Sequence, residues 1–372
     1  YYCKKIDNRW WMVDPSGCLY INKGINAIYP GADTSSVNAF NQKYGNNDVW
    51  FDSTRTLLKK YGFESAGCWS KPLSYFTSWP TQDTNPLSYT VNLNWMSYYG
   101  ASRTTAGTGH TDYPNDCIFV FEEGFRTYCN NKAKDLALYK NDKNLLGYFT
   151  DNELPFYKKS ICNFLKLGVR DTANVSYKAT IAWLKLNNYT PADSLNSTVQ
   201  DKFLAYVAGT YSSIIYNAIK QYDPNHMVLG SRVHLSEARD NIAFLEAVGP
   251  FIDVFTVNYY GLWTPDANSM NKWSSYTNKP FIVTEFYTKA ADTGFANAQG
   301  AGWIVANQTD RGYEYQNFTI ALLKSKNCVG WHWFKYMDDP SLPYTNSSNK
   351  GIITTKYAPY TACLNLMSEL NK

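Results

Sequence analysis

Short apolar runs alternate along the chain with segments in which apolar residues recur every three or four positions. The short runs have the length of β-strands, and several are apolar at nearly every position, which is typical of parallel strands covered on both faces. They predict eight strands, at residues 21–27, 63–68, 89–93, 145–150, 227–231, 252–257, 281–284 and 328–333.

The segments between these runs have the spacing of amphipathic helices. They predict helices at residues 51–61, 120–139, 199–221, 238–248, 309–326 and 357–370. A repeated change from strand spacing to helix spacing indicates βαβ units, whose right-handed crossovers produce parallel strands. Eight such strands favour an α/β fold of the closed (β/α)8 TIM-barrel type over an open sheet.

The domain organisation follows from length and composition. The 372 residues contain no internal repeat and no linker-like tract, so we expect one catalytic barrel domain over residues 1–372. Strand-like residues on both sides of the turn sequence 14–17 predict an N-terminal β-hairpin within residues 1–20. Residues 70–115 and 156–196 are rich in Ser, Thr, Asn, Tyr and Pro and predict long loop insertions on the carboxyl-terminal face, either as cleft walls or as surface decorations.

Charge and hydropathy exclude two classes of partner. The 35 Lys and Arg residues are scattered among 31 Asp and Glu, for a net charge of +4, so no basic stripe suits nucleic acid. No run of about 18 apolar residues is long enough to span a bilayer. The oligomeric state stays open.

The first residues, beginning at Tyr1, lack the apolar segment of a signal peptide and fit either a mature chain or a cytosolic one. Eight cysteines without a CxxC spacing allow disulfides and argue against a zinc cluster, although their pairing stays open. Six Asn-x-Ser/Thr sequons permit N-glycans in a eukaryotic source. These features favour a secreted or extracytoplasmic protein, with periplasmic and cell-surface locations possible.

Aromatic residues give the first indication of function. They form 17% of the chain, with 31 Tyr and 12 Trp, and many lie in Ser/Thr/Asn-rich stretches rather than in apolar runs. The C–H faces of a sugar ring pack on the π-face of Trp or Tyr. The alternative is that most of them are ordinary core and surface residues.

Two glutamates end predicted strands that are far apart in the sequence. Glu153 follows Asn152 at the end of the fourth strand, and Glu285 ends the seventh. Only a closed barrel brings these two positions face to face. Retaining glycoside hydrolysis needs one carboxyl to protonate the leaving oxygen and another, about 5 to 5.5 Å away, to attack the anomeric carbon. We therefore predict Glu153 as the acid/base and Glu285 as the nucleophile, with the Asn152 amide bound to a sugar hydroxyl.

The motifs around these glutamates resemble glycoside hydrolase clan A, the superfamily of retaining (β/α)8 enzymes, and within it the β-agarase families, family 50 especially. The resemblance covers the chain well from about the fourth strand onward and the first third less firmly. The similar stretches are GYFTDNEL (147–154), LGSR (229–232), VNYY (257–260), VTEF (283–286), NQTDR (307–311) and GWHWFKYMDDP (330–340).

The resemblance implies roles for further residues. Arg232 is expected to bind the nucleophile or a substrate hydroxyl, or else to form a structural ion pair. Tyr259, with Tyr260 as the alternate, is expected to donate to the nucleophile. Trp331 or Trp333, at the end of the eighth strand, is expected to form the platform beneath the sugar at the point of cleavage.

Three other residues are weaker candidates for binding substrate. His234 shares a strand face with Arg232, although a surface or core role is equally open, and Asn26 ends the first strand, where a turn role is the alternative. Trp69, at the end of the second strand, is an additional cleft aromatic. The four histidines show no metal-ligand spacing, so we expect no metal and no cofactor.

The function predicted from these residues and this resemblance is hydrolysis of a β-linked, agarose-like galactan by double displacement. Two alternatives stay open. One keeps the chemistry and changes the polymer to another β-galactan, a β-glucan or a β-mannan, because loops rather than the fold set sugar identity. The other is a glycan-binding barrel without catalysis.

Overall fold

Eight parallel strands form the central sheet. The computed structural model describes residues 1–70, 86–106, 110–340 and 347–372. In chain order the strands are Asn22–Ile25, Ser65–Ala66, Ser88–Asn92, Leu145–Phe149, Met227–Gly230, Phe255–Asn258, Phe281–Glu285 and Cys328–Trp333. We number these barrel strands one to eight.

The sheet closes on itself. Strand one pairs with strand eight, and the remaining strands pair in sequence order, except at the junction of strands five and six. That junction is closed just above strand five, where the Val233 amide donates to the Thr256 carbonyl over 2.9 Å and the Asn258 amide donates to the Val233 carbonyl over 3.1 Å. The predicted (β/α)8 barrel is confirmed.

Helices surround the barrel. Each predicted helical segment contains a helix, and the 11-residue helix Ala267–Thr277, which follows strand six, has no counterpart in the prediction. The α-helices are Thr34–Lys43, Asn47–Lys60, Trp95–Tyr99, Glu123–Ala133, Ser160–Arg170, Val175–Leu186, Ser197–Tyr222, Ser236–Arg239, Ile242–Val248, Ala267–Thr277, Gln308–Lys324 and Thr361–Asn371. Asp266 begins the helix after strand six with a side chain that accepts from the Ser269 amide, a standard N-cap.

The N-terminal residues form a small antiparallel sheet of three strands, Tyr2–Ile6, Arg9–Val13 and Leu19–Tyr20. The turn before the third strand is held by Asp14, whose side chain accepts from the amides of Ser16 and Cys18, each over 2.9 Å. Met12 of this sheet is fully buried in the apolar cluster that fills the barrel. The sheet lies at the amino-terminal end, because the Trp10 amide donates to the carbonyl of Lys326, just before strand eight.

Two apolar layers stabilise the barrel. The inner layer fills the barrel with mainly aliphatic side chains, and the outer layer between strands and helices is rich in aromatic rings. Burial of these side chains is the main stabilising contribution. The inner residues are Met12, Cys68, Leu146, Phe149, Met227, Leu229, Val254, Ile282 and Val329.

The side chains of strand eight point alternately into the barrel and into the outer layer. Its only histidine, His332, lies inside the barrel, where a Cβ on Gly24 would stand 2.5 Å from the imidazole ring and one on Gly67 would stand 2.6 Å from it. Burial lowers the pKa of His332 to about 3, so the ring is neutral and pairs with the Asn22 amide group over 2.8 Å. Because side chains alternate along a strand, Trp331 and Trp333 on either side both lie in the outer layer.

The prediction of a long loop over residues 156–196 is wrong. This segment contains the helices Ser160–Arg170 and Val175–Leu186, with Asn174 as the N-cap of the second. Its many polar residues lie on exposed helix faces, while Ile161 and Phe164 pack into the outer layer. Part of the other predicted insertion, residues 71–85 and 107–109, lies outside the described residues.

Two further predictions concern location. Within the described residues, no helix is both long and apolar enough to cross a bilayer. All eight cysteines are free thiols, so the disulfides that their even number allows are not formed. The cysteines therefore give no support to an oxidising compartment.

Candidate active site

Glu285 is the last residue of strand seven, and its side chain is 7% exposed at the carboxyl-terminal mouth of the barrel. One carboxylate oxygen accepts from the Arg232 guanidinium over 2.5 Å, and the other accepts from the Tyr260 hydroxyl over 2.8 Å. A guanidinium and a phenol that both donate to a carboxylate favour its ionised form. Two donors thus converge on the Glu285 carboxyl group, which also lines a cavity.

Arg232 lies fully buried beneath Glu285. Its guanidinium also donates to the Asn152 side-chain oxygen over 2.8 Å and to the Thr284 carbonyl over 3.2 Å. Its φ of 54° is in the left-handed region, a conformation that costs energy for a residue other than glycine. This backbone turn directs the Arg232 side chain across the mouth to Glu285. The contact is the one that the resemblance implied between Arg232 and the predicted nucleophile.

Glu153 lies four residues beyond strand four, also with a left-handed φ of 48°. Its carboxyl oxygen Oε1 accepts from the Asn258 amide group over 2.7 Å. Burial raises the pKa of Glu153, and the nearby charge of Glu285 raises it further. The two glutamates therefore differ: Glu285 receives two donors, one of them charged, whereas burial and a neighbouring charge favour the protonated form of Glu153.

Asn258 connects Glu153 to strand seven and was not predicted. It ends strand six beside Glu285, and its side-chain oxygen accepts from the Thr284 hydroxyl over 2.8 Å. Its amide group donates to Glu153 and, over 3.3 Å, to Asn152. Its position could have identified it as a site residue, because Asn258 is the polar residue that ends an apolar strand, as Glu285 is on the next strand.

The hydrogen bond expected from Tyr259 is made by Tyr260, so that prediction is wrong and its alternate holds. The Tyr259 hydroxyl instead accepts from the Asp266 amide over 3.0 Å, at the start of the next helix, and its ring packs edge-on against Trp273. Burial and the charge of Glu285 raise the pKa of Tyr260, which keeps the phenol protonated as a donor. Adjacent residues point in opposite directions, so only one of the two tyrosines reaches the mouth.

The tryptophan platform predicted at the end of strand eight is also wrong. The Trp331 indole donates to the Tyr315 hydroxyl and the Trp333 indole donates to the Lys350 carbonyl, both in the outer layer. The aromatic residue of this segment that lines the cavity is Phe334, the first after the strand. Trp69, which follows strand two and was predicted as a cleft aromatic, also lines the cavity.

The remaining predicted residues divide between the cavity and the interior. His234 lines the cavity and packs against the Tyr260 ring, with ring centroids 6.0 Å apart. Asn152 lines a second cavity that adjoins the first. Asn26 lines neither; it is fully buried and its amide donates to the Thr284 carbonyl over 2.6 Å, so the prediction that it binds substrate is wrong.

Two adjoining cavities form the cleft. The first, of about 450 Å³, is lined by both glutamates, and the second, of about 400 Å³, is lined by Asn152 and Asp151. Their shared lining residues are Trp69, His110, Thr111, Tyr113, Phe334 and Lys335. Of the two insertions predicted as cleft walls, 70–115 contributes His110 to Tyr113 and 156–196 contributes Tyr157.

Asp151 shapes the second cavity. Its carboxyl accepts from the amides of Met96 and Ser97, over 3.1 and 3.2 Å, and from the Tyr211 hydroxyl over 2.7 Å. Burial raises its pKa to about 7. Asp151 therefore fixes the segment that carries Ser97, another lining residue.

A group of lysines borders the first cavity on its strand-eight side and was also not predicted. Lys335 and Lys350 both pair with Asp339, the latter over 2.8 Å. Nearby, the buried ammonium of Lys289 donates to the carbonyls of Asn297, Gln299 and Gly300, over 2.9, 3.2 and 3.2 Å. These bonds hold the segment whose end lines the cavity.

No metal site accompanies the carboxyl groups in the described part of the chain, where no cluster of three or more potential ligands occurs. A barrel with two carboxyl groups in unlike surroundings at its carboxyl-terminal mouth has the site of a glycoside hydrolase.

Comparison with known proteins supports that class. Beta-agarase A of Vibrio sp. (strain JT0107) is 25% identical over 464 residues, covering 99% of this chain and 45% of the agarase. Beta-agarase B of the same strain is 24% identical over 377 residues, covering 89% and 37%. The chain spans less than half the length of these curated relatives. No protein-family model matches it.

Solved structures give a closer match. The crystal structure of BpGH50 matches the whole chain with a TM-score of 0.88 and 30% identity, and the chain covers 80% of it. The agarase AgWH50C matches with a TM-score of 0.77 and 20% identity, with 62% of its length covered, which supports the fold alone. The identity and coverage shared with BpGH50 show that this chain belongs to glycoside hydrolase family 50.

Proposed function

We propose that this chain hydrolyses the β-glycosidic bonds of an agarose-like galactan with retention of configuration. The observation that carries the proposal is the unequal pair at the barrel mouth: Glu285 receives a guanidinium and a phenol, while Glu153 receives one amide and has a raised pKa. The polymer is proposed from the two agarases of Vibrio and from the aromatic cleft.

In the first proposed step, a Glu285 oxygen attacks the anomeric carbon while the bond from that carbon to the leaving oxygen breaks. The Glu153 proton passes to the leaving oxygen, so Glu153 becomes a carboxylate and Glu285 becomes a neutral ester. In the second step, Glu153 takes a proton from water, whose oxygen attacks the anomeric carbon and releases Glu285 as an anion. Arg232 and Tyr260 favour this release because they stabilise the anion.

The cleft supplies what a polymeric sugar needs. Trp69 and Phe334 present rings to both cavities, and His234 and Lys335 offer polar contacts to hydroxyls. Sugar faces pack on such rings, while the polar groups fix orientation. We propose that the two cavities hold sugar units on the two sides of the bond that is cleaved.

The test is to incubate the chain with agarose and follow reducing ends and the anomeric proton of the first product by NMR. We expect release of reducing ends with the β-anomer formed first; an initial α-anomer would contradict retention. A parallel panel of porphyran, laminarin and mannan tests the alternative polymers. Binding of one polymer without cleavage of any would favour a glycan-binding barrel.

The same assay tests the two roles. Glu285→Gln and Glu153→Gln are each expected to lower kcat by about 10⁴-fold, since each removes a reacting group. Glu246→Gln, at an exposed position outside the cleft, is the matched control and should leave kcat unchanged. Azide should restore turnover to a Glu285→Gly variant only if Glu285 is the nucleophile.

We also propose that the chain acts outside the cytoplasm, in secreted, periplasmic or cell-surface form. An intact galactan polymer does not cross a bilayer, so its hydrolase must act where the polymer is. Fractionation of producing cells with an activity assay tests this proposal, and activity confined to the cytoplasmic fraction would contradict it.

A further inference from the structure

A second concave surface lies on the flank of the barrel, beside the first turns of the helix Gln308–Lys324. Its volume is about 490 Å³, and its walls come from the loop after strand six, the short strand Trp303–Val305 and that helix. The described residues that line it are different from those that line the catalytic cavity. We call this surface the flank groove, defined by Trp263, Val305, Asp310, Tyr313, Glu314 and Asn317.

Two aromatic residues of the flank groove are unusually open. Trp263 is 49% exposed and Tyr313 is 57% exposed. The Asn317 amide group donates to the Trp263 carbonyl and to the Thr264 hydroxyl, each over 3.0 Å, and so holds the loop against the helix. A fixed, exposed aromatic residue is suited to pack on the C–H face of a sugar at little entropic cost.

Glu314 is the second, independent feature. It is 3% exposed and lines the groove, yet its Oε2 has no hydrogen-bond partner among the described residues. Arg311 does not satisfy it, because its guanidinium donates to the Thr288 and Gly351 carbonyls, over 3.0 and 2.9 Å. A buried polar oxygen without a partner is costly, and a ligand hydroxyl in the groove would supply the missing bond.

The charges of the groove favour a neutral ligand. None of the described residues that line it is basic, so an anion has no counter-charge. Burial raises the pKa of Glu314 to about 8, so at neutral pH the carboxyl offers both a donor and an acceptor. Asp310 adds carboxylate oxygens that accept from hydroxyls. Sugar hydroxyls match both requirements.

We propose that the flank groove binds a strand of neutral, hydroxyl-rich polysaccharide and holds it next to the catalytic cavity. The groove and the cavity share one loop: Tyr260 contacts Glu285, and Trp263 lies three residues further on, a segment that spans at most about 11 Å. Binding there raises the local concentration of polymer at the mouth. That this polymer is the one cleaved rests on the proposed function.

The test is affinity electrophoresis of the Glu285→Gln chain in gels that contain agarose, porphyran, laminarin or mannan. At least one polysaccharide should slow its migration, and Trp263→Ala with Tyr313→Ala should weaken that binding by roughly tenfold. The control is Tyr2→Ala, an aromatic residue 54% exposed in the N-terminal sheet and outside the groove, which should bind as before. Unchanged thermal unfolding establishes that each variant is folded.

Polymer binding and oligosaccharide turnover distinguish the flank groove from the catalytic cavity. In the active enzyme, Trp263→Ala should lower the rate on polymer several-fold and leave kcat/KM on a short oligosaccharide unchanged. Oligosaccharide turnover tests the catalytic proposal alone, whereas the groove is tested by binding. Equal migration of the parent and the double variant, or no retardation by any polysaccharide, overturns the groove. So does a dimer of the parent chain that Trp263→Ala converts to monomers, because the groove would then be an interface.

Discussion

The surroundings of the two carboxyl groups that we propose as catalytic differ although both lie at the same barrel mouth. Glu285 ends a strand and receives two strong donors, one of them positively charged, from Arg232 and Tyr260. Glu153 lies on a left-handed turn beyond its strand and receives only the Asn258 amide. The comparison teaches that the division of roles is set by the donors around each group rather than by the groups themselves.

The largest expected effect comes from removing the charged donor. Arg232→Met removes the charged donor and leaves the Glu285 carboxyl buried beside an apolar side chain. We expect kcat to fall about 10³-fold and the free energy of unfolding to fall by about 3 kcal/mol. Steady-state kinetics and urea unfolding measure both. A fall in kcat of less than about tenfold would contradict a role for Arg232 in catalysis.

The phenol is the next donor to remove. Tyr260→Phe deletes one hydrogen bond to Glu285 and keeps the ring against Tyr287, so we expect kcat to fall about 30-fold with the fold retained. Tyr259→Phe is the matched control, since the Tyr259 hydroxyl contacts a helix start and not the cavity. Equal losses of kcat in the two variants would contradict the assignment.

Removing the hydrogen bond from Asn258 to Glu153 should change the pH dependence of activity more than it changes kcat. The Asn258 amide favours the ionised form of Glu153, so Asn258→Ala should raise its pKa further. The general acid must be protonated, so activity falls as pH rises through this pKa. We expect the alkaline limb of kcat/KM to move to higher pH, with kcat about tenfold lower. A limb that stays in place or moves to lower pH contradicts this role.

Glu314, a buried carboxyl whose Oε2 has no hydrogen-bond partner among the described residues, gives the third case, and its effect on activity is the smallest. The pKa of Glu314 is raised to about 8 by burial, so the folded chain holds a proton that the unfolded chain, with an ordinary pKa, releases. Stability is therefore lost as pH rises from about 4.5 to about 8. Glu314→Gln should unfold like the parent near pH 4.5 and be more stable than the parent at pH 9, by up to about 5 kcal/mol. Equal melting temperatures at pH 9 would contradict the assigned pKa.

The sequence was sufficient for the barrel and for the two glutamates. An apolar run that stops at a carboxylate marks the mouth of a parallel barrel, and this pattern locates Glu153 and Glu285 without any contact information. The helical spacing of Ile161 and Phe164 was equally readable, but the polar composition of residues 156–196 obscured it. Composition describes exposure, whereas spacing describes the element.

The errors at the site have a different origin. Trp331 and Trp333 share one face of strand eight, and His332 lies on the other. His332 faces the barrel interior because Gly24 and Gly67 leave room for its ring there, and the two tryptophans therefore face outward. The choice between Tyr259 and Tyr260 likewise depends on backbone direction beyond strand six. Such directions are set by tertiary packing and not by local propensity.

The ammonium of Lys289 has a practical consequence for enzyme engineering. It satisfies three carbonyls of the segment that ends at Gly300 and Ala301, on the rim of the cavity. A shorter or apolar side chain at this position would leave those carbonyls without a donor and release the rim. Libraries that seek acceptance of branched or bulkier saccharides should begin at Lys289, and those that seek heat resistance should leave it intact.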